Sequence, residues 1–318
     1  MKLRINWLAA MVLAGLLAGC GGDEPGEAAD EAVEEARAAK AASPDEAVEA
    51  AAKALENNDV KAFLVALMPP EELEKMEQKF DEERQTPPTE AERAEFAETM
   101  EKLTREGAED ELMAELEPQL DQMAAQMPMM IGFGQMMVSQ GIQENQDLTQ
   151  DQKQAAQSTA TAVFTQLQSA NLGDKETARE AIGIVTEYAR KLDLKTADEV
   201  QALSFDEALG KAGIVMEGSK ELLGLYGFDI NAILGSVDAE IVSEEEDNAT
   251  VMVSYDLFGQ PQSAETTMVR IGNGWYGADL IEQLNKPEEA PAELEMMPDM
   301  APESDEMEME EEGADTGA

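Results

Sequence analysis

Apolar residues recur at the three- and four-residue spacing of an amphipathic helix through most of the first 234 positions. The first such helix follows Ser43-Pro44-Asp45-Glu46, where serine, proline and glutamate occupy the positions of a capping box. Its apolar positions are Val48, Ala51, Ala52 and Leu55, and Asn57-Asn58-Asp59 ends it. The pattern predicts a predominantly helical region from about 43 to 234.

Further helix boundaries follow from proline and from repeated capping pairs. The second helix ends at Pro69-Pro70, and a third runs from Glu71 towards Arg84. The apolar positions of the second helix are Val60, Phe63, Leu64 and Leu67. Capping pairs that predict later helix starts are Thr89 with Glu92, Thr196 with Glu199, and Ser204 with Glu207.

The apolar period changes from helical to two after Gly235, which is typical of strands. The alternating positions are Val237, Ala239 and Ile241, then Val251, Val253, Tyr255 and Leu257, then Thr267, Val269 and Ile271. Turns are predicted at Glu244 to Asn248, Gly259-Gln260-Pro261 and Gly272-Asn273-Gly274, and Trp275-Tyr276 begins a last strand. The predicted fold class is therefore α+β, with a C-terminal antiparallel β-meander that has one buried face.

The N-terminal segment resembles the signal of a bacterial lipoprotein. Lys2 and Arg4 precede an apolar run from Ile5 to Leu17, which is shorter than the roughly 20 residues that span a bilayer. Leu17-Ala18-Gly19-Cys20 is similar to the lipobox that signal peptidase II cleaves, here between Gly19 and Cys20. The resemblance implies an acylated Cys20, and an ordinary cleaved signal or an uncleaved anchor is the alternative.

The resemblance also implies a location. Gly21, rather than aspartate, follows the cysteine, which in proteobacterial lipoproteins implies release to the outer membrane. We expect a lipid-anchored protein that faces the periplasm. The predicted organisation is a signal peptide at 1–19, a lipidated cysteine and flexible tether at 20–42, one globular domain at 43–286 and a disordered acidic tail at 287–318.

The chain is strongly acidic. Its net charge is −47, and removal of the first 19 residues, which contain Lys2 and Arg4 but no acid, changes this from −47 to −49. Such a charge repels phosphate backbones and anionic lipid headgroups. We therefore expect no nucleic-acid partner, and we expect membrane attachment through the acyl chains alone.

Histidine is absent, and Cys20 is the single cysteine. A lipidated Cys20 leaves no thiol for a disulfide, a nucleophile or a metal ligand, and the lack of histidine removes the commonest general base. No catalytic motif is recognisable. We accordingly expect no catalytic residue, no cofactor and no metal site.

The last hairpin carries a second resemblance. Gly272-Asn273-Gly274-Trp275-Tyr276, after a helix-first chain, resembles small bacterial lipoproteins of unknown function built on the nuclear-transport-factor-two-like fold. The resemblance covers about 43 to 67 and 237 to 280. It implies an N-terminal helix pair packed across a curved sheet. Because that family includes enzymes and ligand binders, the fold alone does not imply a function.

Methionine clusters suggest two alternatives. The clusters are Met123, Met127, Met129, Met130, Met136 and Met137, and in the tail Met296, Met297, Met300, Met307 and Met309. Thioethers bind Cu(I), but methionine also fills irregular cores and partner surfaces. The apolar segment 129–138 accordingly predicts either interior packing or a surface groove for another envelope protein.

Carboxylates and aromatic residues of the meander are the remaining candidates. The acidic runs at 244–247 and 303–312 could hold Ca²⁺ or Mg²⁺, or form a solvated turn and tail, and neither has the spacing of an EF-hand. The candidate pocket or rim residues are Tyr255, Asp256, Trp275, Tyr276 and Asp279. Their alternatives are core or rim aromatics and outward polar positions.

The leading functional hypothesis is a non-enzymatic lipoprotein domain that binds a protein partner or a small apolar ligand. An enzyme that uses one buried carboxylate in a cone-shaped pocket is the second hypothesis, and a methionine-based metal carrier is the third. A deep pocket with an inward carboxylate would favour the enzyme, and three converging methionine sulfurs would favour the carrier.

Cys20→Ser should block lipidation and leave the protein uncleaved or soluble, because no thiol remains for the acyl chains. Membrane fractionation after a carbonate wash measures this directly. A variant that still partitions with outer membranes would show that the lipobox interpretation is wrong.

Overall fold

The computed structural model of the chain describes residues 43–285, apart from positions 147 and 171. The predicted signal peptide, tether and acidic tail lie outside these residues, so the interpretations of those segments stay predictions. None of the helices in the described part is long and apolar enough to cross a membrane.

Helices make up most of the described chain before the sheet, as the sequence pattern predicts. They are α1 Pro44–Glu56, α2 Val60–Leu67, α3 Pro70–Glu83, α4 Glu90–Thr104, α5 Ala108–Glu144, α6 Gln150–Ser169, α7 Lys175–Leu192, α8 Ala197–Ala202, α9 Phe205–Leu225 and α10 Ile230–Gly235. The strands are β1 Asp238–Glu245, β2 Asn248–Leu257, β3 Gln260–Ile271 and β4 Gly274–Gly277, and the short helix α11 Ala278–Leu284 follows.

Three of the four predicted capping boxes are formed. Reciprocal hydrogen bonds join Thr89 to Glu92, Thr196 to Glu199 and Ser204 to Glu207. The prediction is wrong at Ser43, whose side chain makes no capping hydrogen bond to α1. That hydroxyl instead bonds the carboxylate of Asp45, which lowers the pKa of Asp45.

The four strands form one antiparallel sheet in the order β1-β2-β3-β4, which confirms the predicted meander. The alternation places Thr267, Val269 and Ile271 on the buried face of β3, and this is wrong, since Met268 is buried while Ile271 is 37% exposed. The register explains the difference, because Met268 pairs with the buried Ala249 and paired residues share a face.

The edge strand β1 follows the predicted alternation only at its start. Ala239 is buried, whereas Ile241 is 40% exposed. Ile241 pairs with the buried Val251 and therefore lies on the predicted face, but on this edge strand it is not covered. The prediction is right about the face of Ile241 and wrong about its burial. The register of β1 then shifts between Ile241 and Ser243.

Helix α1 packs against the sheet and forms its core. Ala47 and Val48 of this helix join Ala239, Ala249, Val251, Val253, Met268 and Trp275 in one apolar cluster. Trp275 is 2% exposed and lies with the face that carries Val251 and Val253. Trp275 is therefore a core residue, and the space between α1 and the sheet is filled by side chains.

Helix α9 connects the other helices. It packs against α7 so closely that a Cβ atom at Gly218 would lie 2.5 Å from Cγ of Tyr188. On another side, the Nζ of Lys220 lies 3.4 Å from the carbonyl oxygens of Leu55 and Glu56, to which it donates. The ammonium group of this buried lysine satisfies carbonyl oxygens at the C-terminal end of α1, where a positive charge also complements the helix dipole. A second apolar cluster joins α9 to α3 through Leu73, Phe80, Phe205, Ala208 and Leu209.

Trp275→Ala should lower the free energy of unfolding by about 3–5 kcal/mol, because the substitution leaves a large cavity between α1 and the sheet. Urea denaturation monitored by circular dichroism measures the change. Val242→Ala is the matched control on the same sheet, since Val242 is 54% exposed and its truncation should cost less than about 0.5 kcal/mol. A near-zero shift for Trp275→Ala would mean that the sheet does not form a core with α1.

Candidate functional site

The structure separates the five predicted pocket or rim residues by their burial. Trp275 and Tyr276 belong to the core, at 2% and 1% exposed, and Tyr255 is half-buried in β2. Asp256 and Asp279 are exposed. Neither aspartate is therefore enclosed in the apolar pocket that the enzyme hypothesis requires.

Both aspartates have structural roles. The carboxylate of Asp256 accepts a hydrogen bond of 2.6 Å from the backbone N–H of Gly259, and this bond holds the β2–β3 turn. The turn needs such support because Phe258 and Gly259 both have positive φ, 55° and 79°. Asp279 lies in the first turn of α11, where a negative charge complements the helix dipole.

Two clefts in the described residues are lined mainly by polar side chains. One, of about 480 Å³, lies between the facing ends of α5 and α6 and the start of β3, with Gln143, Gln154, Gln157 and Gln260 among its walls. In this cleft the Nζ of Lys153 donates a hydrogen bond of 2.8 Å to the carbonyl oxygen of Gln143.

The second cleft has about 250 Å³ and lies beside α9. In it the hydroxyl of Tyr188 donates to Glu221 at 2.9 Å, and burial raises the pKa of Tyr188. Glu217, Asp229 and Lys220 complete its polar lining. Neither cleft is lined predominantly by the hydrophobic and aromatic residues that are usual around small apolar ligands.

The long helix α5 is fixed to the body of the protein at its N-terminal half. Glu109 forms an ion pair of 2.9 Å with Arg190 of α7 and accepts a hydrogen bond of 2.9 Å from the buried Thr186. The bond from Arg190, with help from backbone N–H and Thr186, lowers the pKa of Glu109 to about 2. Apolar contacts reinforce this junction, where Met113, Leu116 and Leu120 meet Ala178 and Ile182.

The C-terminal half of α5 packs on α6 through one face only. Ile131 is buried, and a Cβ at Gly134 would lie in ordinary contact, 3.5 Å, with the ring of Phe164. On the same side, Gln157 donates to the hydroxyl of Ser139 at 2.9 Å. Because α6 also contacts β2 and β3, it lies between this half of α5 and the sheet.

The opposite side of α5 is apolar and exposed. We call it the Met/Phe face, and it consists of Met129, Met130, Phe133, Met136 and Met137. These side chains are between 53% and 77% exposed. At about 100° per residue they fall within an arc of roughly 120° on the helix surface. An exposed apolar stripe of this size marks an interaction site more often than an ordinary surface.

Two facing stretches of the hairpin formed by α5 and α6 contain no charged residue. No Asp, Glu, Lys or Arg occurs from 122 to 143 in α5, or from 154 to 173 in and after α6. Elsewhere the chain is densely charged, since 29% of all its residues are Asp, Glu, Lys or Arg. The Met/Phe face is therefore apolar and also free of the repulsion that the rest of the protein surface exerts on anionic groups.

The methionines of this face lie side by side along one helix. Among the described residues, no group of three or more Cys, Asp or Glu side chains is placed to hold a metal ion. The binding of Cu(I) by thioethers stays a prediction, and the side chain of Met123 lies outside the described set.

Comparisons with protein-family models, with curated proteins and with solved structures found no match for this chain. The resemblances to lipoproteins and to the nuclear-transport-factor-two-like fold therefore stay predictions.

The sequence drew attention to the segment 129–138 but left its position open. Interior packing is wrong for the five side chains of the Met/Phe face, and the surface is the side of a helix rather than a groove. The sequence did contain a signal that distinguishes a buried from an exposed position of this segment. An apolar helix face that is buried within one chain needs a second apolar face to pack against. The facing stretch of α6 is rich in Gln, Ser, Thr and Ala instead.

Glu109→Gln should make the unfolding free energy less sensitive to acid. The pKa of Glu109 is about 2 in the folded chain and 4.5 when unperturbed, so its stabilising effect is complete above about pH 4.5 and is lost as the pH falls towards 2. The difference in urea midpoint between wild type and Glu109→Gln should therefore be largest near neutral pH and shrink below pH 4.5.

Glu187→Gln is the control for this titration, since Glu187 lies on α7 and its ion pair in the described part of the chain is with the exposed Lys191. A difference between wild type and Glu109→Gln that stays constant from neutral pH to pH 2 would contradict the assigned ion pair.

Proposed function

We propose that the protein is a non-enzymatic lipoprotein, anchored in the outer membrane through Cys20 and facing the periplasm, that binds a protein partner through the Met/Phe face. The single observation that carries the binding role is the exposure of five large apolar side chains on an uncharged helix face. Exposed apolar surface is costly in water, and a partner that covers it removes that cost.

The shape of the hairpin supports this role. The N-terminal half of α5 is held by α7, and α6 supports the C-terminal half from the side of the sheet. The Met/Phe face is consequently presented on a supported helix and is turned away from α6. A preformed helix face binds with a smaller loss of conformational entropy than a flexible segment.

The lipobox and the charge support the location. Two or three acyl chains at Cys20 are sufficient for stable anchoring, whereas a chain whose net charge is −49 after removal of the first 19 residues has no attraction to anionic headgroups. The anchored domain therefore extends into the aqueous phase and is available to proteins there.

The enzyme hypothesis has no such support. It depends on Asp256 and Asp279, and both are exposed. Asp256 bonds the β2–β3 turn, and Asp279 lies in the first turn of α11. The metal-carrier hypothesis uses the same methionines as the binding hypothesis, so the two are separated by chemistry. Leucine keeps the apolar area of methionine and removes the sulfur.

A photo-reactive phenylalanine analogue at position 133 in cells should form a discrete protein adduct. The same analogue at position 137 should also do so, and Met130→Glu should abolish the adduct at 137, because it places a charge on the same face. Mass spectrometry of the adducts measures both results.

The control position for cross-linking is Val185 on α7, which is 40% exposed and lies away from the Met/Phe face. Changing Met129, Met130, Met136 and Met137 together to leucine should preserve the adduct at 133. Adducts no stronger at 133 and 137 than at 185 would contradict the proposed function, and loss of the adduct in the leucine variant would favour the metal carrier.

A further inference from the structure

The Met/Phe face is symmetric about its centre. Met130 and Met136 lie three residues on either side of Phe133, and Met129 and Met137 lie four residues on either side. A helix read in the opposite direction therefore presents the same order of side chains. Packing within one chain does not require this symmetry, because the helix that faces α5, α6, has a different sequence.

The residues around the face continue the symmetry. Gln126 and Gln140 lie seven residues on either side of Phe133 and bound the apolar stripe. Gly132 and Gly134 lie next to Phe133, and a Cβ at Gly132 would meet nothing within 4 Å. A glycine with open space beside the central ring allows a second helix to approach closely.

We propose that the occupant of the Met/Phe face is a second copy of this chain, packed antiparallel about a two-fold axis at Phe133. In this dimer the two Phe133 rings meet, Met130 of one copy contacts Met136 of the other, and Met129 of one contacts Met137 of the other. Such an interface is isologous, because each contact occurs twice. The inference rests on the proposed function and names its partner.

The distribution of charge favours this occupant over others. Two copies of an acidic chain repel one another wherever their carboxylates approach, and the hairpin is free of charge over 122–143 and 154–173. A basic partner would be attracted to the acidic surfaces and would gain nothing from this face. Helices that lie on membranes carry Lys or Arg beside their apolar face, and none occurs here.

The size of the face is sufficient for a dimer. The five side chains are more than half exposed. Together they present on the order of 600 Å² of apolar surface, compared with the ~800 Å² that each partner buries in a standard interface. Methionine is flexible and polarisable, so it adapts well to an opposing methionine.

Sedimentation equilibrium of the mature chain 20–318 carrying Cys20→Ser tests this directly, since that chain retains every residue of the described fold. We expect a reversible equilibrium between monomer and dimer. Phe133→Glu should raise the dissociation constant at least ~100-fold, because it buries two like charges at the two-fold axis. Val185→Glu, the matched charge on an exposed position of α7, should change it less than ~2-fold.

The salt dependence is a second signature. Raising NaCl from about 50 mM to about 500 mM should tighten the dimer several-fold, because salt screens the repulsion between the acidic bodies while leaving apolar contacts intact. An interface held by ion pairs would weaken instead, and that result would overturn the proposed dimer.

The antiparallel register has its own test. Met130→Lys and Met136→Glu should each weaken the homodimer, and an equimolar mixture should recover association, because lysine at 130 then faces glutamate at 136 of the other chain. Failure of the mixture to associate more tightly than either variant alone would overturn the two-fold arrangement.

The outcomes also separate this inference from the proposed function. A wild-type chain that stays monomeric at several hundred micromolar overturns the second copy, whereas an adduct at position 133 with a different protein would leave the proposed function standing. Flotation with phosphatidylcholine vesicles is the last arm. Binding that Phe133→Glu abolishes would assign the face to lipid and overturn both.

Discussion

Repulsion between carboxylates is the constraint on which the rest of this structure depends. The chain has 69 acidic residues and 22 basic ones, so most carboxylates lack a cationic partner. In the described residues many acids occupy the first turns of helices, where the dipole and free N–H groups favour them, as at Glu109, Glu199 and Glu207. Ion pairs such as Arg93–Asp198, Lys102–Glu115 and Arg179–Asp110 join exposed side chains and stabilise little each.

Stability must therefore come from packing, and aromatic residues are scarce, at 4%. Close helix contacts supply it. Gly218 lets α9 pack directly on the ring of Tyr188, and Lys220 is directed to the carbonyl end of α1. Helix α7, held by α9 in this way, in turn fixes the N-terminal half of α5. The hairpin of α5 and α6 presents the Met/Phe face on stretches without charged residues. Carboxylate repulsion, which acts over the rest of the protein surface, is therefore absent at this face.

Much of this fold follows from local sequence rules. Pro69-Pro70, the Thr89–Glu92 box and the glycine turn before Trp275 act over a few residues, and the structure confirms each of them. The buried face of β3 did not follow, because register depends on its pairing with β2, where Ala249 opposite Met268 decides which side faces α1. A one-residue shift reverses every side chain.

The candidate site was less predictable for a similar reason. Pro118 and Pro128 are signals for helix ends, yet both lie inside α5, since neighbouring turns of this long helix and its packing on α6 and α7 maintain it. The apolar character of 129–138 was legible in the sequence. Whether it faced inward depended on α6, which contacts the side of α5 that carries Ile131 and Ser139.

Methionine oxidation measures the central claim, that the Met/Phe face is exposed in one chain and covered by another. Dilute peroxide with peptide mass spectrometry gives the rate at each methionine. In dilute protein, Met129, Met130, Met136 and Met137 should oxidise at least about tenfold faster than the buried Met113, and their rates should fall as the protein concentration rises. Rates as slow as that of Met113 at every dilution would contradict the account, because the face would then be buried within a single chain.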